Sequence, residues 1–336
     1  MIRGHPATSQ SSRPVLIDTD PGIDDALALL LAWGLPSLRV EAISTVAGNV
    51  SVDLATVNVF RILEAARPAH RPRVARGAAA PLRRALVTAA HVHGDDGLGN
   101  LDRLRGPEGR PRYGSPRLDL EMRDGADLIL ETARRFGEDL IVIALGPLTN
   151  VALALGRDAA RLRRIGRLVI MGGAVTVAGN VTPAAEFNFH VDPDAAQAVL
   201  AGGLPVEVIP LDVTRRVTLG QADLDKRLPA PRGPRAQFLE DFTAHGFAFG
   251  GTRGDGGITL HDPLAVAVAA DPSLVGLEPL YVQVETESDL TRGLSLADRR
   301  PGAPEGRQPP NCHVALTVDA PRALALTLEG LCRACA

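Results

Sequence analysis

The sequence predicts an α/β fold, a mostly parallel central sheet flanked by helices on both faces. Short apolar runs alternate with stretches of helical periodicity along most of the chain, the pattern of strand–helix–strand units. The strand candidates are brief and apolar throughout, as parallel strands buried on both faces are. Hydrophobic residues make up 45% of the chain, yet only 3% are aromatic. That apolar share is mostly Ala, Leu and Val, which suits buried strands and Ala/Leu-rich helices.

The elements follow in order. Val15-Leu16-Ile17 is a buried strand, and Ile23 to Trp33 is a helix stopped by Gly34 and Pro36. Val40–Val46 is a second strand and Val52–Ala66 a second helix, ended by Pro68. The alternation resumes with Leu140–Leu145 (strand), Leu148–Leu155 (helix), Leu168–Met171 (strand), Pro193–Leu200 (helix) and Val206–Pro210 (strand). Residues 77–122 are rich in Gly, Pro and Arg and read as irregular. A helix near Arg235–Phe249 leads into the glycine-rich stretch 250–257, either a mobile lid or a plain surface loop. Leu280–Val284 and His313–Val318 are late strands, and Pro321–Leu331 is a closing helix. Without repeats, low-complexity tracts or a clear linker, residues 14–333 are expected to form one domain after a flexible segment 1–13.

Bulk properties narrow the function. A net charge of −3 gives no field that would attract nucleic acid or a membrane surface. No run of about 18 apolar residues occurs, and the first residues lack the apolar core of a signal peptide, so the expected location is the cytoplasm. Three cysteines do not make a disulfide framework; Cys332 and Cys335 lack the second pair that a zinc site needs and are read as reduced thiols.

The chemistry concentrates after the first strand. Asp18, Asp20, Asp24 and Asp25 lie in Asp-Thr-Asp-Pro-Gly-Ile-Asp-Asp, with Pro21-Gly22 supplying the turn. Four carboxylates brought together repel one another and resist ionisation unless a hard divalent cation joins them. Asp24 and Asp25 also fall in the first turn of a helix, where the dipole favours negative charge. The spacing is not that of an EF-hand, whose sixth and twelfth positions would be Ile23 and Leu29 here. Nor is there a Gly-Lys-Ser/Thr phosphate loop.

Val15 to Ala26 resembles the N-terminal signature of the inosine–uridine-preferring nucleoside hydrolase family. Further segments resemble that family in its order: Val46-Ala47-Gly48-Asn49-Val50, His93-Gly94-Asp95-Asp96-Gly97-Leu98, Leu145-Gly146-Pro147-Leu148-Thr149-Asn150, Met171-Gly172-Gly173, Gly179-Asn180, Glu186-Phe187-Asn188 and His261-Asp262-Pro263-Leu264. The resemblance spans about residues 14 to 332 and implies a Rossmann-like open sheet. It also implies hydrolysis of the N-glycosidic bond of ribonucleosides to free base and ribose, a step of nucleoside catabolism.

By the same resemblance, Asp20, Asp25, Asp262 and the main-chain carbonyl of Leu145 hold Ca²⁺, with Asp18 behind them. Asp20 is the general base for a calcium-bound water. Asp24, Asn49, Asn180, Glu186 and Asn188 bind ribose, with Phe187 and Met171 packing against the sugar. His261 is the expected leaving-group acid, and His93 touches the base. His91, His190 and His245 are read as structural. Purine-specific members stack the base between tryptophans, but Trp33 lies in the first helix, so a stacking wall would come from Phe242, Phe247 or Phe249. The expected partner is a small ribonucleoside, and a homo-oligomer, dimer or tetramer, is implied.

Two other readings compete. A haloacid-dehalogenase-like phosphatase also places Asp-x-Asp after its first strand, but wants Thr or Val where Gly22 stands. A non-catalytic calcium-containing riboside binder would use the same donors without turnover.

Overall fold

The computed structural model describes residues 12–228, 230–254, 256–300, 306 and 308–336. Residues 1–11 of the expected N-terminal segment lie outside them. The strands are β1 (Arg13–Thr19), β2 (Leu38–Thr45), β3 (Arg73–Arg76), β4 (Ile141–Ala144), β5 (Arg167–Met171), β6 (Val206–Ile209), β7 (Thr218–Leu219), β8 (Ile258–Thr259), β9 (Val275–Leu280), β10 (Val282–Val284), β11 (Ser295–Ala297) and β12 (Cys312–Val318). Eight of them form one sheet in the order β3-β2-β1-β4-β5-β6-β12-β9. Neighbours run parallel except β9, which lies antiparallel to β12 at one edge.

Alternation along β1 shows why the sheet is covered on both sides. Val15 and Ile17 enter the core shared with helices α1 (Ile23–Gly34) and α2 (Val52–Ala66), as well as helices 261–270 and 320–335. Leu16 enters the opposite core, with helices 125–136, 149–157 and 193–200. All three side chains are fully buried. Truncating Leu16 or Ile17 to Ala would cost about 2–5 kcal/mol. Helix α1 is buried along almost its whole length, which explains its Ala/Leu composition.

The strand order reverses between β1 and β4. Loops leaving the carboxyl ends of these two neighbours diverge to opposite faces and leave a crevice between them, where doubly wound sheets bind ligands. The acidic loop follows β1, and Leu145 follows β4.

Three expected elements are revised. The strand expected over Leu280–Val284 is split at Tyr281, with β9 staying in the main sheet while β10 pairs antiparallel with β11. Asn311 occupies the break: its side-chain amide accepts from Val282 N–H and donates to Val282 C=O, both at 2.8 Å, as a neighbouring strand would. The helix expected near Arg235–Phe249 runs from Pro234 to Arg253 and ends at Gly254, which adopts φ +77°. The glycine-rich stretch therefore begins as helix, and Asp255 lies outside the described residues. The irregular span 77–122 contains a short helix, α3 (Ala90–His93), which brings its histidines to the crevice. Among the described residues no helix is long and apolar enough to cross a membrane.

Candidate active site

A cavity of about 530 Å³ opens at the crevice. Asp24, Asn49, His93, Leu145, Met171, Asn180, Glu186, Phe187, Asn188, His261 and Asp262 line it, so eleven sequence-predicted residues from widely separated segments meet there. Asp20 and Asp25 stand immediately behind this lining, fully buried.

Asp25 anchors the loop. Its Oδ2 accepts from Gly22 N–H at 2.9 Å and from the Asn49 side-chain amide at 3.1 Å, and its Oδ1 accepts from the Thr19 hydroxyl. Asp20 is gripped on one side, with Oδ2 accepting from Asn49 N–H at 2.6 Å, while Oδ1 is buried without a hydrogen-bond partner. Two glycines make room for this carboxylate. A Cβ on Gly48 would lie 2.0 Å from Asp20 Oδ2, and one on Gly146 would lie 2.4 Å from Oδ1. Those glycines belong to two of the segments singled out in the sequence.

Carboxylate oxygens of Asp24, Asp25 and Asp262 lie within 4.8 Å of one another. Asp24 Oδ1 is likewise buried without a hydrogen-bond partner. Burial, and then the charge of Asp25, push the Asp24 carboxyl up to about 8. Burial and the neighbouring carboxylates hold Asp20 and Asp262 well above the usual carboxylate range. Three carboxylates packed this closely, with Asp24 Oδ1 orphaned among them, fit a divalent cation, and an all-oxygen donor set suits a hard one. The metal dependence is supported by this cluster; Asp24, expected at the sugar, is part of it. Leu145 C=O also faces the site and accepts from the Asn188 side chain at 2.7 Å.

The Asp18 carboxylate, expected behind the metal ligands, is fully buried, with Oδ2 left without a hydrogen-bond partner. That group turns to Ser44 and Asn150, which donates to Oδ1 at 2.7 Å. Its main-chain carbonyl accepts from Leu145 N–H at 2.8 Å and so fixes the peptide that carries the Leu145 carbonyl. Burial pushes the Asp18 carboxyl up to about 7.

On the far wall Glu186 caps the helix Phe187–Val191, accepting from Asn188 and Phe189 N–H groups and from Gly173 N–H at 3.0 Å. These bonds aim it into the cavity while burial pushes it up to about 7. The Asn188 amide donates to Leu145 C=O and, at 3.1 Å, to Met171 C=O, joining the ends of β4 and β5. His93 Nδ1 accepts from Ile23 N–H at 3.1 Å, which requires that nitrogen to be unprotonated. Burial agrees, lowering His93 to about 4. His261 opens helix 261–270, and its Nδ1 lies 2.8 Å from the Thr214 hydroxyl.

Several lining residues were not read from the sequence as site residues. His91, expected to be structural, lines the cavity beside His93, as do Val87, Thr88, Arg215, Thr218 and Thr259. The closeness of His91 to His93 in one turn was the available signal. Of the three phenylalanines expected as a stacking wall, Phe249 reaches the cavity. Phe242 packs on Phe238 in the core at 5.3 Å between ring centroids, and Phe247 packs against the same core.

Acid and amide groups converging on one cavity at the carboxyl edge of a doubly wound sheet define an α/β enzyme. Residues 15–325 match the family model described as inosine-uridine preferring nucleoside hydrolase, and the chain belongs to that family. A pyrimidine-specific ribonucleoside hydrolase, RihA, of Shewanella sp. (strain ANA-3) is 37% identical over 298 residues, covering 86% of this chain and 87% of the relative. A probable uridine nucleosidase 2 of Arabidopsis thaliana is 36% identical over 326 residues, covering 95% and 97%. Among solved structures, the plant nucleoside hydrolase PpNRh1 superposes with a TM-score of 0.83 at 32% identity, covering 95% of this chain and 98% of that one. A purine-preferring ribonucleoside hydrolase from Gardnerella vaginalis gives 0.82 at 32% identity, covering 96% and 99%. The chain is a glycosidase acting on N-glycosyl compounds, which sets aside the phosphatase reading.

Proposed function

We propose that this hydrolase releases free base and ribose from ribonucleosides by attack of water at C1′, with Asp20 as the general base. The observation that carries the reading is the Asp20 carboxylate itself. It is buried, held through Oδ2 by Asn49 N–H, given space by Gly48 and Gly146, and left with Oδ1 unpartnered. A fixed carboxylate with one available oxygen is what proton removal from water requires.

Asp20, Asp25, Asp262 and the carbonyl of Leu145 would hold Ca²⁺, with the Asp24 carboxylate adjacent. The bound ion would supply Lewis acidity, lowering the pKa of water at the site and drawing in sugar hydroxyls. Asp24, Asn49, Asn180, Glu186 and Asn188 bind the ribose, and Met171 and Phe187 pack against its apolar face. These contacts position C1′ and favour positive charge on the ring as the glycosidic bond lengthens, the common logic of glycoside hydrolysis. His261 donates to the departing base, and His93, a neutral acceptor, braces the loop beside it.

With Phe249 as its aromatic wall and Trp33 away in α1, the cavity supports pyrimidine or broad base preference over a tryptophan-stacked purine site. Homo-oligomeric assembly and a cytoplasmic location belong to the same proposal. The test is reducing-sugar release from a panel of uridine, cytidine, inosine and adenosine. Release of ribose and free base from members of the panel supports the reading, and no release from any of them overturns it.

A further inference from the structure

The short helix Leu211–Thr214 follows β6 and lies outside the segments that carry the family resemblance, yet its Thr214 hydroxyl lies 2.8 Å from Nδ1 of His261. We infer that Thr214 is the positioning residue that sets the ring of His261 for donation to the departing base. The inference rests on the reading of His261 as the leaving-group donor.

Three observations make the contact a built one. Thr214 is fully buried, so no bulk water competes for its hydroxyl. The two residues, 47 positions apart in sequence, are also held in register by the main chain. β7 pairs antiparallel with β8, Thr218 opposite Thr259, and Leu260 N–H donates to Val217 C=O at 2.9 Å. The chain leaving Thr214 and the chain entering His261 are therefore laddered together. The segment is finally clamped from its other side. Asp212 accepts from Val175 N–H at 2.9 Å and Thr176 N–H at 2.7 Å, and Arg215 donates to Ala178 C=O at 2.8 Å and Gly179 C=O at 2.6 Å. Those bonds tie Thr214 to the loop that carries Asn180.

The bond also has a chemical consequence. With Nδ1 engaged by Thr214, Nε2 is the nitrogen that can serve the base. As a proton donor the ring carries a proton on each nitrogen: Nδ1–H donates to the Thr214 hydroxyl, Nε2–H passes to the departing base, and a neutral imidazole is left. The partner at the second ring nitrogen of a working histidine commonly sets both ring orientation and tautomer.

The test compares Thr214→Val, Thr214→Ser and His261→Ala on uridine and inosine and on p-nitrophenyl β-D-riboside, whose acidic leaving group departs without a proton donor. Thr214→Val is expected to lower kcat on nucleosides by ~10- to 100-fold. It should leave p-nitrophenyl riboside turnover within a few-fold, and Thr214→Ser should restore nucleoside turnover. In the His261→Ala background, Thr214→Val should add no further loss. Equal losses on both substrate types, failure of Ser to rescue, or no loss in Thr214→Val overturns the inference. If His261→Ala itself shows no selective loss on nucleosides, the leaving-group reading has failed, and the inference falls with it. If His261→Ala is selective and Thr214→Val is not, the inference alone has failed.

Discussion

The main-chain N–H of Asn49 donates to Oδ2 of Asp20 at 2.6 Å, so the carboxylate that follows the first strand is held by the loop that follows the second. The same Asn49 reaches Asp25 through its side chain, at 3.1 Å. Removing the carboxylate leaves the Asn49–Asp25 bond in place and takes away the proposed base. Asp20→Ala should therefore fold and lose turnover of uridine and inosine by at least ~100-fold. Steady-state kinetics beside a circular-dichroism melt would check this, and unchanged turnover would remove Asp20 from the role of base.

The space for Asp20 is as specific as its hydrogen bond. Gly48→Ala and Gly146→Ala each force a methyl group against the carboxylate. Each should cost about 1–3 kcal/mol of stability through overpacking. Activity should fall further than stability, because the carboxylate is the group displaced. Denaturant melts set against kcat would reveal variants that stay folded and lose turnover.

Binding of the cation should stabilise the native state alone. With Ca²⁺ at a hundredfold excess over Kd, about 2.7 kcal/mol is expected, visible as a rise in Tm over chelated protein. Asp262→Asn removes one oxygen anion from the group of three and should abolish that rise. Isothermal titration with CaCl₂ checks the same point directly, and an undiminished heat in Asp262→Asn would exclude that residue as a ligand.

Chelated protein should lose stability as pH rises. Glu186 and Asp18 are each pushed up by burial to about 7, from ordinary values of 4.5 and 3.8. Between those limits the native state keeps protons that the unfolded chain has released. Their contribution is full below the unfolded values and is lost as pH climbs through the folded ones. Tm in EDTA should fall from about pH 5 to pH 8, with a shallower slope in Glu186→Gln. A Tm that rises across that window would contradict the assignment.

Much of this site was legible in the sequence because its pieces are local. The Asp18–Asp25 loop lies between an apolar run and an Ala/Leu helix, and strand-end residues of a doubly wound sheet meet in one crevice. What stayed hidden depends on partners far along the chain. Thr214 stands where the sequence shows no regular pattern, and the pairing of β7 with β8 brings His261 beside it. Tyr281 gives no sign of a break, because the cause is the side chain of Asn311. β3 offers two apolar residues between arginines, too little pattern to read as a strand. Asp24 is read from the sequence as a ribose ligand within the acidic loop, and the fold places it with Asp25 and Asp262.

Thr149 and Asn150, the first residues of the helix 149–157, have reach on both sides. Asn150 donates to Asp18 Oδ1 and to Thr45 C=O and accepts from Ala78 N–H, gathering the ends of β1, β2 and the chain after β3. Thr149 donates to Asp192, which caps the helix 193–200 and also accepts from Leu82 N–H. Two adjacent residues thus act as a rivet through both leaves of the crevice. The catalytic cradle cannot fray one wall at a time, and its amides should exchange with solvent only when the whole molecule opens.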